Sequence, residues 1–551
     1  MTTAGALGLA GMLSGCMVGP NYKTPKADIA GAWLPVSEGG SGVATDSVNA
    51  EWWKQFNDPV LESLVQQAVG QNLSLQTAGL RVLQARAARG IAVGQFFPQS
   101  QSAFGNIRDN QVSANSPAAA SDRSFADADI GLQAAWELDF WGKFRRGIES
   151  SDAALLSTVA DYDTVLISVI SDVASRYIEI RSLQERLGLA KANAKLQADT
   201  VRLTEVRFRA GAVSELDVAT ARATLGNTQA LIPQFEDGIR QATLLLCVLL
   251  GRTPSDLSAE LGPERPVPQP PQTIALGIPA DLLRRRPDVR SAEHIAAAAS
   301  AQIGVAKADF YPAISINGST GFASSNFDFF GGPQPQLNNI FDANSFAGFI
   351  GLSVSWPILN YGRIQNNVRV QDAIYQQAVT NYQNSVLVAA ADVERGLSTF
   401  LRSRERSTFL AESVVASQRS ADISLIQYRN GAVDFIRVNQ AQTDLVAQQD
   451  ALAASKAITA LGAISTFRAL GGGWEIRAGK EFVPQPTIDQ MRERTDWGDL
   501  IAPSYSEGND LMFSRPREDE GLGGPSGQPV SGERSAPQEP PQGAASPPQR
   551  N

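Results

Sequence analysis

The feature that most constrains this chain is an internal repeat. The segment WELDFWGK at residues 136–143 returns as WPILNYGR at 356–363, and the turn FRAGAV at 208–213 returns as YRNGAV at 428–433. Both pairs share one offset, since 356 − 136 = 220 and 428 − 208 = 220. A repeat of this length predicts two similar halves packed together. With 551 residues, 43% of them hydrophobic, the chain is expected to form one large duplicated body.

Two very long helical patterns occupy equivalent places in the halves. Apolar residues recur at steps of three and four over residues 155–180, and the same stripe returns over 375–400. No proline interrupts either region, so we predict helices over about 146–209 and 363–429, each ~95 Å long. A globular core cannot use such a length. The polar residues on the remaining faces predict one buried seam and one face in water.

Each long helix is predicted to end in a tight turn before a returning helix. Gly211 and Gly431 would supply the left-handed backbone conformation at which many helices end. Ser214 and Asp434 are the expected N-caps of the returning helices. Those helices would cover about residues 215–250 and 435–470. Each half would therefore contain a long antiparallel helix hairpin.

Four segments alternate apolar and polar side chains with the period of a β-strand. They cover about residues 99–108, 130–140, 314–322 and 346–358. Each is close to the length of about ten residues that a tilted membrane strand needs. The intervening segments are rich in Ser, Asn, Gly and Pro and are predicted to be exposed loops. Alternation alone leaves open whether the apolar face meets lipid or a protein core.

Two further segments carry expectations about packing. A helical pattern covers residues 59–94, and the aromatic residues of WWKQF at 52–56 are expected to dock in front of it. The RRR run at 284–286 could bind an anion. We interpret it instead as a solvated helix start, with Asp288 and Glu293 as its partners.

The N-terminal residues indicate a lipid anchor. Residues 1–15 are small and apolar and end in a sequence that resembles a bacterial lipobox, so we expect a covalent lipid on Cys16. No Lys or Arg precedes Lys23, and we therefore expect the signal peptide to start upstream or to have been trimmed. The other cysteine, Cys247, is predicted to be a buried small hydrophobe. After the N-terminal segment no apolar run approaches the ~20 residues of a membrane helix, so any membrane span would consist of strands.

These patterns divide the chain into six parts. We predict a signal peptide at 1–15, a lipidated segment at 16–58, a first repeat at 59–253, a proline-rich connector at 254–287, a second repeat at 288–474 and a largely disordered Pro/Gly-rich tail at 475–551.

Composition argues against several function classes. The net charge is −9 and no basic residues cluster on one face, so nucleic-acid binding is not expected. The single histidine, His294, argues against histidine-based acid/base or metal chemistry. The sequence contains no phosphate loop and no zinc-ligand spacing. We expect no catalytic residue, no metal and no cofactor other than the lipid on Cys16.

A series of motifs, taken in order, resembles the outer-membrane efflux proteins of the TolC type and their lipid-modified NodT-like branch. The motifs are Cys16 followed by VGPNY at 18–22, WW at 52–53, the turns at Gly211 and Gly431, LRRRPDV at 283–289, FYP at 310–312 and ALGGGW at 469–474. The resemblance covers about residues 16–474. It implies a mixed α and β membrane protein in which duplicated units of β-hairpins and long antiparallel helix hairpins form a homotrimer. The trimer would have a 12-stranded β-barrel in the outer membrane of a Gram-negative bacterium, continuous with a periplasmic α-helical barrel.

The same resemblance implies a function and its partners. The protein would be the exit duct of a tripartite RND-type efflux pump, passively conducting small molecules such as drugs or other toxic compounds from periplasm to exterior. Its expected partners are a periplasmic adaptor (membrane fusion) protein, an inner-membrane RND transporter and outer-membrane lipid.

The resemblance also implies two functional regions. The adaptor would contact the two turns, at Arg207, Arg209, Gly211, Val213, Tyr428, Gly431 and Val433. The pore constriction would lie close to these tips, at Ile436 and Gln440, with Asp217 and Asp444 as charged neighbours. Gln440 stands where the family frequently has an acidic residue, and this departure puts an aspartate gate in doubt.

Two other functions stay open from sequence. A type I secretion duct would share the shape but export proteins. A coiled-coil lipoprotein scaffold would need neither a trimeric pore nor four alternating strands. The lipobox and the NodT-like motifs favour the RND pump. Copper or silver export is less favoured, because all five methionines lie outside the predicted duct helices.

Overall fold

The computed structural model describes residues 17–27, 33–34, 43–44, 50–115, 123–275, 285–327 and 337–501. The predicted lipidation residue Cys16, the signal segment 1–15 and the chain beyond residue 501 lie outside the described residues.

Helices make up most of the described chain. The eight longer ones are α1 Pro59–Gln71, α2 Leu73–Gly94, α3 Lys143–Arg209, α4 Glu215–Leu249, α5 Pro287–Ala308, α6 Arg363–Arg429, α7 Phe435–Ala469 and α8 Gln485–Arg494. Short helical turns lie at Trp52–Phe56, Ser258–Leu261, Leu337–Asn339, Ala343–Ser345, Trp474–Arg477 and Gly498–Ile501.

The helix boundaries reproduce the sequence repeat. Helices α3 and α6 each have 67 residues, and α4 and α7 each have 35. Their starts keep the offset of the sequence motifs, since 363 − 143 = 220 and 435 − 215 = 220. At ~1.5 Å per residue the longer pair would reach about 100 Å. The predicted long helix hairpins are therefore present in both halves, with boundaries within three residues of those expected.

Four antiparallel strands form one sheet in the order β1-β2-β3-β4. They are β1 Ser100–Gln111, β2 Ser124–Leu138, β3 Ala313–Ser325 and β4 Phe346–Ser355. A separate parallel pair joins Val43–Ala44 to Ile274–Ala275. The four predicted strands are confirmed, with ends shifted by up to six residues. Strand β2 begins earlier than expected because alanines weaken the apolar alternation at its start, and β4 stops before Pro357, which has no backbone donor.

The helix predicted over residues 59–94 is wrong as a single element. It is broken at Asn72, whose backbone is extended with ψ 123°. The Asn72 side chain accepts from the Leu75 backbone N–H at 2.9 Å and caps α2. Its amide group also donates to the Leu249 carbonyl at the end of α4, at 2.8 Å. These side-chain bonds take the place of backbone hydrogen bonds that a continuous helix would make. The sequence pattern does not reveal the break, because apolar residues continue with helical spacing on both sides of Asn72.

The core lies where the middle of α3 meets the segments at both ends of the chain. The buried stripes predicted on α3 and α6 are confirmed, with Tyr177, Val393 and Phe400 fully buried. Trp52, predicted to dock, is fully buried and stacks on Phe467 of α7 with ring centroids 5.3 Å apart. Burial thus joins the N-terminal segment to helices of both halves.

A buried hydroxyl ties the start of α1 to α3. The Tyr177 hydroxyl donates to the Asp58 carboxylate at 2.7 Å, and Asp58 also caps α1 through the Val60 backbone N–H. Burial raises the pKa of Tyr177 to about 12, although the nearby Arg181 guanidinium acts in the opposite direction. The hydroxyl therefore keeps its proton, and remains a donor to Asp58, throughout the physiological pH range.

The interpretation of the arginine run as a solvated helix start is wrong for Arg286. This residue is 8% exposed. Its guanidinium pairs with Asp288 at 2.6 Å and donates to the carbonyls of Ala389 and Ala469, at 3.3 and 3.0 Å. It therefore joins the start of α5 to α6 and to the last residue of α7. The last carbonyls of a helix have no backbone donor within that helix, so the Ala469 carbonyl needs a donor of this kind. Arg285 is exposed and pairs with Glu475 at 2.7 Å, and Arg284 lies outside the described residues. Sequence reasoning failed here because both arginines precede the same helix and only packing distinguishes them.

Replacing the buried guanidinium should destabilise the second half. Arg286→Met keeps much of the volume but leaves the Ala469 carbonyl at the end of α7 without this donor and the Asp288 carboxylate without its partner, so we expect a loss of about 2 to 4 kcal/mol in the free energy of unfolding. Arg285→Met is the matched control and should change it by less than about 1 kcal/mol, because its ion pair is exposed. Thermal unfolding of the detergent-solubilised protein measures both. Equal midpoints for the two variants would contradict the role given to Arg286.

Candidate functional site

The strand register separates the sheet into two chemically different faces. Cross-strand partners share a face, and one set of partners forms an apolar face: Ile107, Ile130, Leu132, Trp136, Leu138, Ile314, Ile316, Phe322, Phe346, Ile350, Leu352 and Val354. The other set forms a polar face: Ser102, Asn106, Arg108, Asp127, Asp129, Gln133, Glu137, Ser315, Asn317, Ser319 and Ser353. The apolar face is uncovered by the described residues, with Ile350 83% and Leu352 68% exposed. A continuous apolar surface of this kind marks a contact with a membrane or a partner.

Helix α3 is the one helix in the described ranges that is long and apolar enough to cross a membrane. This apolar stretch within α3 corrects the expectation that no segment after the N-terminal residues is apolar enough for a membrane helix. However, 61% of that window is buried inside the protein, as in the core helix of a soluble protein. The apolar sheet face is therefore the candidate membrane surface.

Aromatic side chains mark the end of the sheet that adjoins the long helices. The Trp141 and Tyr311 rings stack with centroids 4.5 Å apart, and the Trp141 indole donates to the Pro312 carbonyl at 2.8 Å. Trp136 and Trp356 likewise donate to backbone carbonyls of the connecting segments, at 3.1 and 3.0 Å. Amphipathic rings with satisfied N–H groups are typical of a boundary between an apolar layer and water.

The residues that directly follow Cys16 are held at this same boundary. The Val18 backbone N–H donates to the Trp141 carbonyl at 3.1 Å. The buried Arg146 of α3 donates to the Val18 carbonyl at 3.2 Å and to the Asn21 side chain at 2.9 Å. Gly19 has φ +97°, and a Cβ there would lie 2.4 Å from Gly304 of α5. Sequence reasoning missed Arg146, since nothing in its local pattern signals a partner more than a hundred residues away.

The two turns at the far end of the helix hairpins have the geometry expected of them. Gly211 and Gly431 have φ +72° and +76°. Each is followed by an alanine whose N–H bonds back to the helix, at 2.9 Å in both turns, which is the Schellman arrangement. Ser214 caps α4 and forms a reciprocal capping box with Asp217. Asp434 is the N-cap residue of α7, as predicted, although its side chain makes no capping hydrogen bond.

Residues of the two turns are in contact with each other. The Arg207 guanidinium lies over the Tyr428 ring, 4.5 Å from its centroid, and donates to the Tyr428 carbonyl. Tyr428 is 1% exposed and packs with Phe435 and Val438 in a small apolar cluster. Val213 and Val433 pack against that cluster, whereas Arg209 is exposed on its helix. Of the seven residues predicted for adaptor contact, four therefore join the two tips, namely Arg207, Val213, Tyr428 and Val433, while Gly211 and Gly431 form the turns themselves.

The residues predicted for the constriction divide into two groups. Ile436, Gln440 and Asp444 lie at steps of four on an exposed face of α7, and Ile436 is 61% exposed. The Gln440 amide donates to Asp444 at 2.9 Å. Asp217 instead lies on α4, where its carboxylate accepts from the Ser214 backbone N–H at 3.0 Å. The structure brings the three α7 residues together and gives Asp217 a capping role.

Helices α3 and α7, from different halves, meet along a seam of polar pairs. Asn193 donates to Gln449 at 2.7 Å, and Gln442 donates to Thr200 at 2.9 Å. Three ion pairs continue the seam: Arg186–Asp450 at 2.6 Å, Lys456–Glu185 at 3.0 Å and Arg468–Asp172 at 3.2 Å. These pairs were not predicted, because polar helix faces were assigned to water.

Among the described residues, no group of three or more His, Cys, Asp or Glu side chains is placed to hold a metal ion. Cys247 is buried on α4, as predicted, with its sulfur 3.5 Å from the Ser255 carbonyl.

Comparison with known proteins identifies the arrangement. The Outer membrane efflux protein family matches residues 64–252 and 278–472, one match in each half. Nodulation protein T of Rhizobium leguminosarum bv. trifolii is 32% identical over 448 residues, which cover 80% of this chain and 91% of that protein. Pyoverdine export outer membrane protein OpmQ of Pseudomonas aeruginosa is 30% identical over 434 residues, covering 77% and 88%.

Solved structures agree with the sequence comparison. The outer-membrane channel OprN superposes with a TM-score of 0.77 and 32% identity, covering 84% of this chain and all of that one. The outer membrane channel CmeC of Campylobacter jejuni has a TM-score of 0.72 at 23% identity, covering 87% and 98%, and supports the fold alone. The duplicated helix hairpins and the two-faced sheet are thus those of a TolC-like channel with a helical barrel and a β-barrel. The chain belongs to the outer membrane efflux protein family.

Proposed function

We propose that this protein is the outer-membrane exit duct of a tripartite RND-type efflux pump, through which small molecules leave the periplasm passively. The observation that carries the proposal is the two-faced sheet at one end of the long helix hairpins. Its apolar face suits lipid, and its polar face suits the wall of a water-filled channel. The names of relatives point the same way: OpmQ is named for pyoverdine export and SrpC of Pseudomonas putida for solvent efflux.

The working unit in this proposal is a homotrimer. Within the described chain, β1 and β4 are the two edges of the sheet and pair on one side only. Unpaired backbone groups are costly in hydrocarbon, so a sheet in a membrane must close. Three copies would give twelve strands and leave no edge. The exposed polar faces of the long helices would line the periplasmic continuation of the same duct.

A lipid on Cys16 would anchor the trimer at the periplasmic side of the membrane. Support comes from the adjoining Met17 and Val18, which lie against Gly142 and Trp141 at the aromatic boundary of the sheet. These contacts hold the residues next to the proposed attachment point close to the membrane boundary. The lipid would strengthen the membrane anchoring that the strands provide, and it would not replace that anchoring.

The joined tips suit the contact with a periplasmic adaptor, and the adjacent face of α7 suits the constriction. In a trimer, Ile436, Gln440 and Asp444 would recur three times around the axis. The Gln440–Asp444 hydrogen bond would hold a neutral amide at the narrowest point. The three Asp444 carboxylates would form a negatively charged ring one turn further along the helix. The inner-membrane RND transporter would deliver solutes through the adaptor.

A type I secretion duct is the second candidate, and nothing in the shape of the helix hairpins excludes it. The names of the relatives favour export of small molecules. A non-channel scaffold would not need a sheet with one apolar face and one polar face.

Single-channel conductance in a planar bilayer tests the duct and its constriction. We expect discrete openings from the wild-type protein, and larger ones from Ile436→Ala and Gln440→Ala because each removes three copies of a side chain from the narrowest ring. Gln418→Ala is the matched control, since Gln418 makes the same bond to Asp422 on α6, at 3.1 Å. Folded protein that conducts in no variant would refute the channel, and enlargement by Gln418→Ala alone would relocate the constriction.

Mass spectrometry of the mature protein tests the lipid anchor. Cys16→Ser should lose the mass of the acyl chains, whereas Cys247→Ser should keep it. The Cys16→Ser protein should still be recovered in the outer-membrane fraction, because strands span the membrane without a lipid. An unmodified wild-type Cys16 would disprove lipidation and leave the duct proposal intact.

Site-directed cross-linking tests the adaptor contact. Cysteines introduced at Val213 and Val433 should form cross-links with a co-expressed periplasmic adaptor. A cysteine at Val415, which is 72% exposed in α6 away from the turns, should not. Cross-links from Val415 but not from the tips would place the adaptor along the side of the helical barrel.

A further inference from the structure

The polar face of the sheet contains two phenylalanines that its alternation does not explain. Phe104 of β1 and Phe349 of β4 are paired in register with glycine and serine, on the face that also carries Arg108 and Asp129. Phe349 is 63% exposed there. Phe125 is the other phenylalanine on this face of the described strands, and it packs against Phe327 near the sheet's outer end, with centroids 4.7 Å apart. Phe104 and Phe349 therefore place aromatic rings on a face that is otherwise polar or small.

Glycines form the floor between these two rings. Gly131 and Gly321 are direct cross-strand partners. A Cβ on Gly321 would lie 2.2 Å from the Ile130 carbonyl oxygen, and one on Gly131 would lie 2.5 Å from the Thr320 carbonyl oxygen. The tip of the Phe104 ring lies 3.1 Å from that second position and so covers the Gly131 backbone. Strands β2 and β3 therefore approach so closely at Gly131 and Gly321 that neither position can carry a side chain. The Phe104 ring lies beside this bare backbone.

The rings and the floor bound an open cavity with charged groups at one end. Its volume is about 640 Å³, and its lining includes Phe104, Phe349, Arg108, Asp127 and Asp129. Two carboxylates and one guanidinium leave one net negative charge. The Arg108 guanidinium contacts Asp127 at 3.0 Å and Asp129 at 2.7 Å, which fixes both carboxylates on the cavity side of the sheet.

We propose that this cavity is a contact site for small aromatic cations on the wall of the strand barrel. The inference deepens the proposed function and rests on it, because the polar face is the channel wall only in a closed duct. An aromatic solute can stack on the rings above the glycine floor, and a cationic group is attracted by ring faces and by the excess carboxylate. An anion of the same shape is repelled both by the ring faces and by the excess carboxylate.

The cavity extends across all four strands to both edges of the sheet, which gives the site a neighbour in the trimer. Strand β4, which carries Phe349, is one edge and β1, which carries Phe104, is the other. Closing the barrel brings β4 of one copy beside β1 of the next, at about 4.8 Å between strands. Phenylalanines from adjoining copies then line a common stretch of wall. The competing explanation is that the rings only pack against each other to hold the seam.

Saturation-transfer difference NMR on the full chain in nanodiscs tests the proposal with benzyltrimethylammonium as the probe. This cation is water-soluble, and its ring protons report contact directly. We expect Phe349→Ala to weaken binding about two- to fivefold, the value of one cation–π contact. Phe349→Leu should weaken it similarly, because it keeps apolar bulk and loses the ring face. Phe346→Ala is the matched control: Phe346 is 62% exposed on the same strand but on the apolar face, and its loss should leave binding unchanged.

Two further probes separate the contributions of ring and charge. Tetramethylammonium lacks the aryl group and benzenesulfonate reverses the charge, so both should bind more weakly than benzyltrimethylammonium. Asp129→Asn removes the excess negative charge and should reduce the preference for the cation over benzenesulfonate. Equal binding of all three probes to the wild-type protein would overturn the site.

Conductance and heat stability of the same preparations distinguish the possible failures. If the wild type conducts but Phe349→Ala binds the probe as the wild type does, the site is refuted and the duct stands. If Phe349→Ala binds unchanged and also lowers the temperature at which the trimer dissociates, the rings are seam packing only. If folded wild-type protein does not conduct, the proposed function fails, and this inference fails with it.

Discussion

The structure depends on one constraint, which is that every backbone N–H and C=O entering a membrane must be paired. The four strands satisfy this internally except along β1 and β4, so the sheet has two open edges within the described part of the chain. A single sheet with an exposed apolar face would aggregate in water and would be unstable in lipid. The same four strands repeated around an axis satisfy both requirements. The duplicated sequence is thus organised for an assembly that one chain cannot complete.

The long helices solve a different problem with two kinds of contact. Apolar stripes join α3 to the core around the middle of the helix, where Tyr177 and Ile170 are fully buried. Further along, α3 and α7 meet through hydrogen bonds and half-buried ion pairs such as Arg186–Asp450. Ion pairs that water still reaches contribute little stability, because water can replace either partner at small cost. The halves are therefore held firmly by the apolar core at mid-helix and more weakly along the polar seam beyond it, and a second apolar cluster around Tyr428 joins them again at the tips.

The fold was largely predictable because its strongest signals are periodic. The long internal repeat, the stripes of the long helices and the alternation of the strands each persist over many residues, so local exceptions do not hide them. The failures occurred where one residue decides the outcome. Asn72 breaks a helix through its side-chain bonds, Arg286 is buried while Arg285 is not, and Arg146 binds a segment far away in the chain. Such contacts depend on tertiary placement that periodicity does not contain.

The candidate sites show the same division. Glycine at the turns followed from backbone geometry, but the contact between Arg207 and Tyr428 requires knowing that the two tips adjoin. Phe349 stood in the polar phase of its strand, yet alternation alone could not say whether that face meets lipid or water. Register resolves it, since Phe349 shares its face with Ser319 and Gln133. A duct must release what it conducts, so a wall contact useful to transport has to be weak. Two rings beside a glycine floor, open to water and with one net charge, meet that requirement better than an enclosed pocket would.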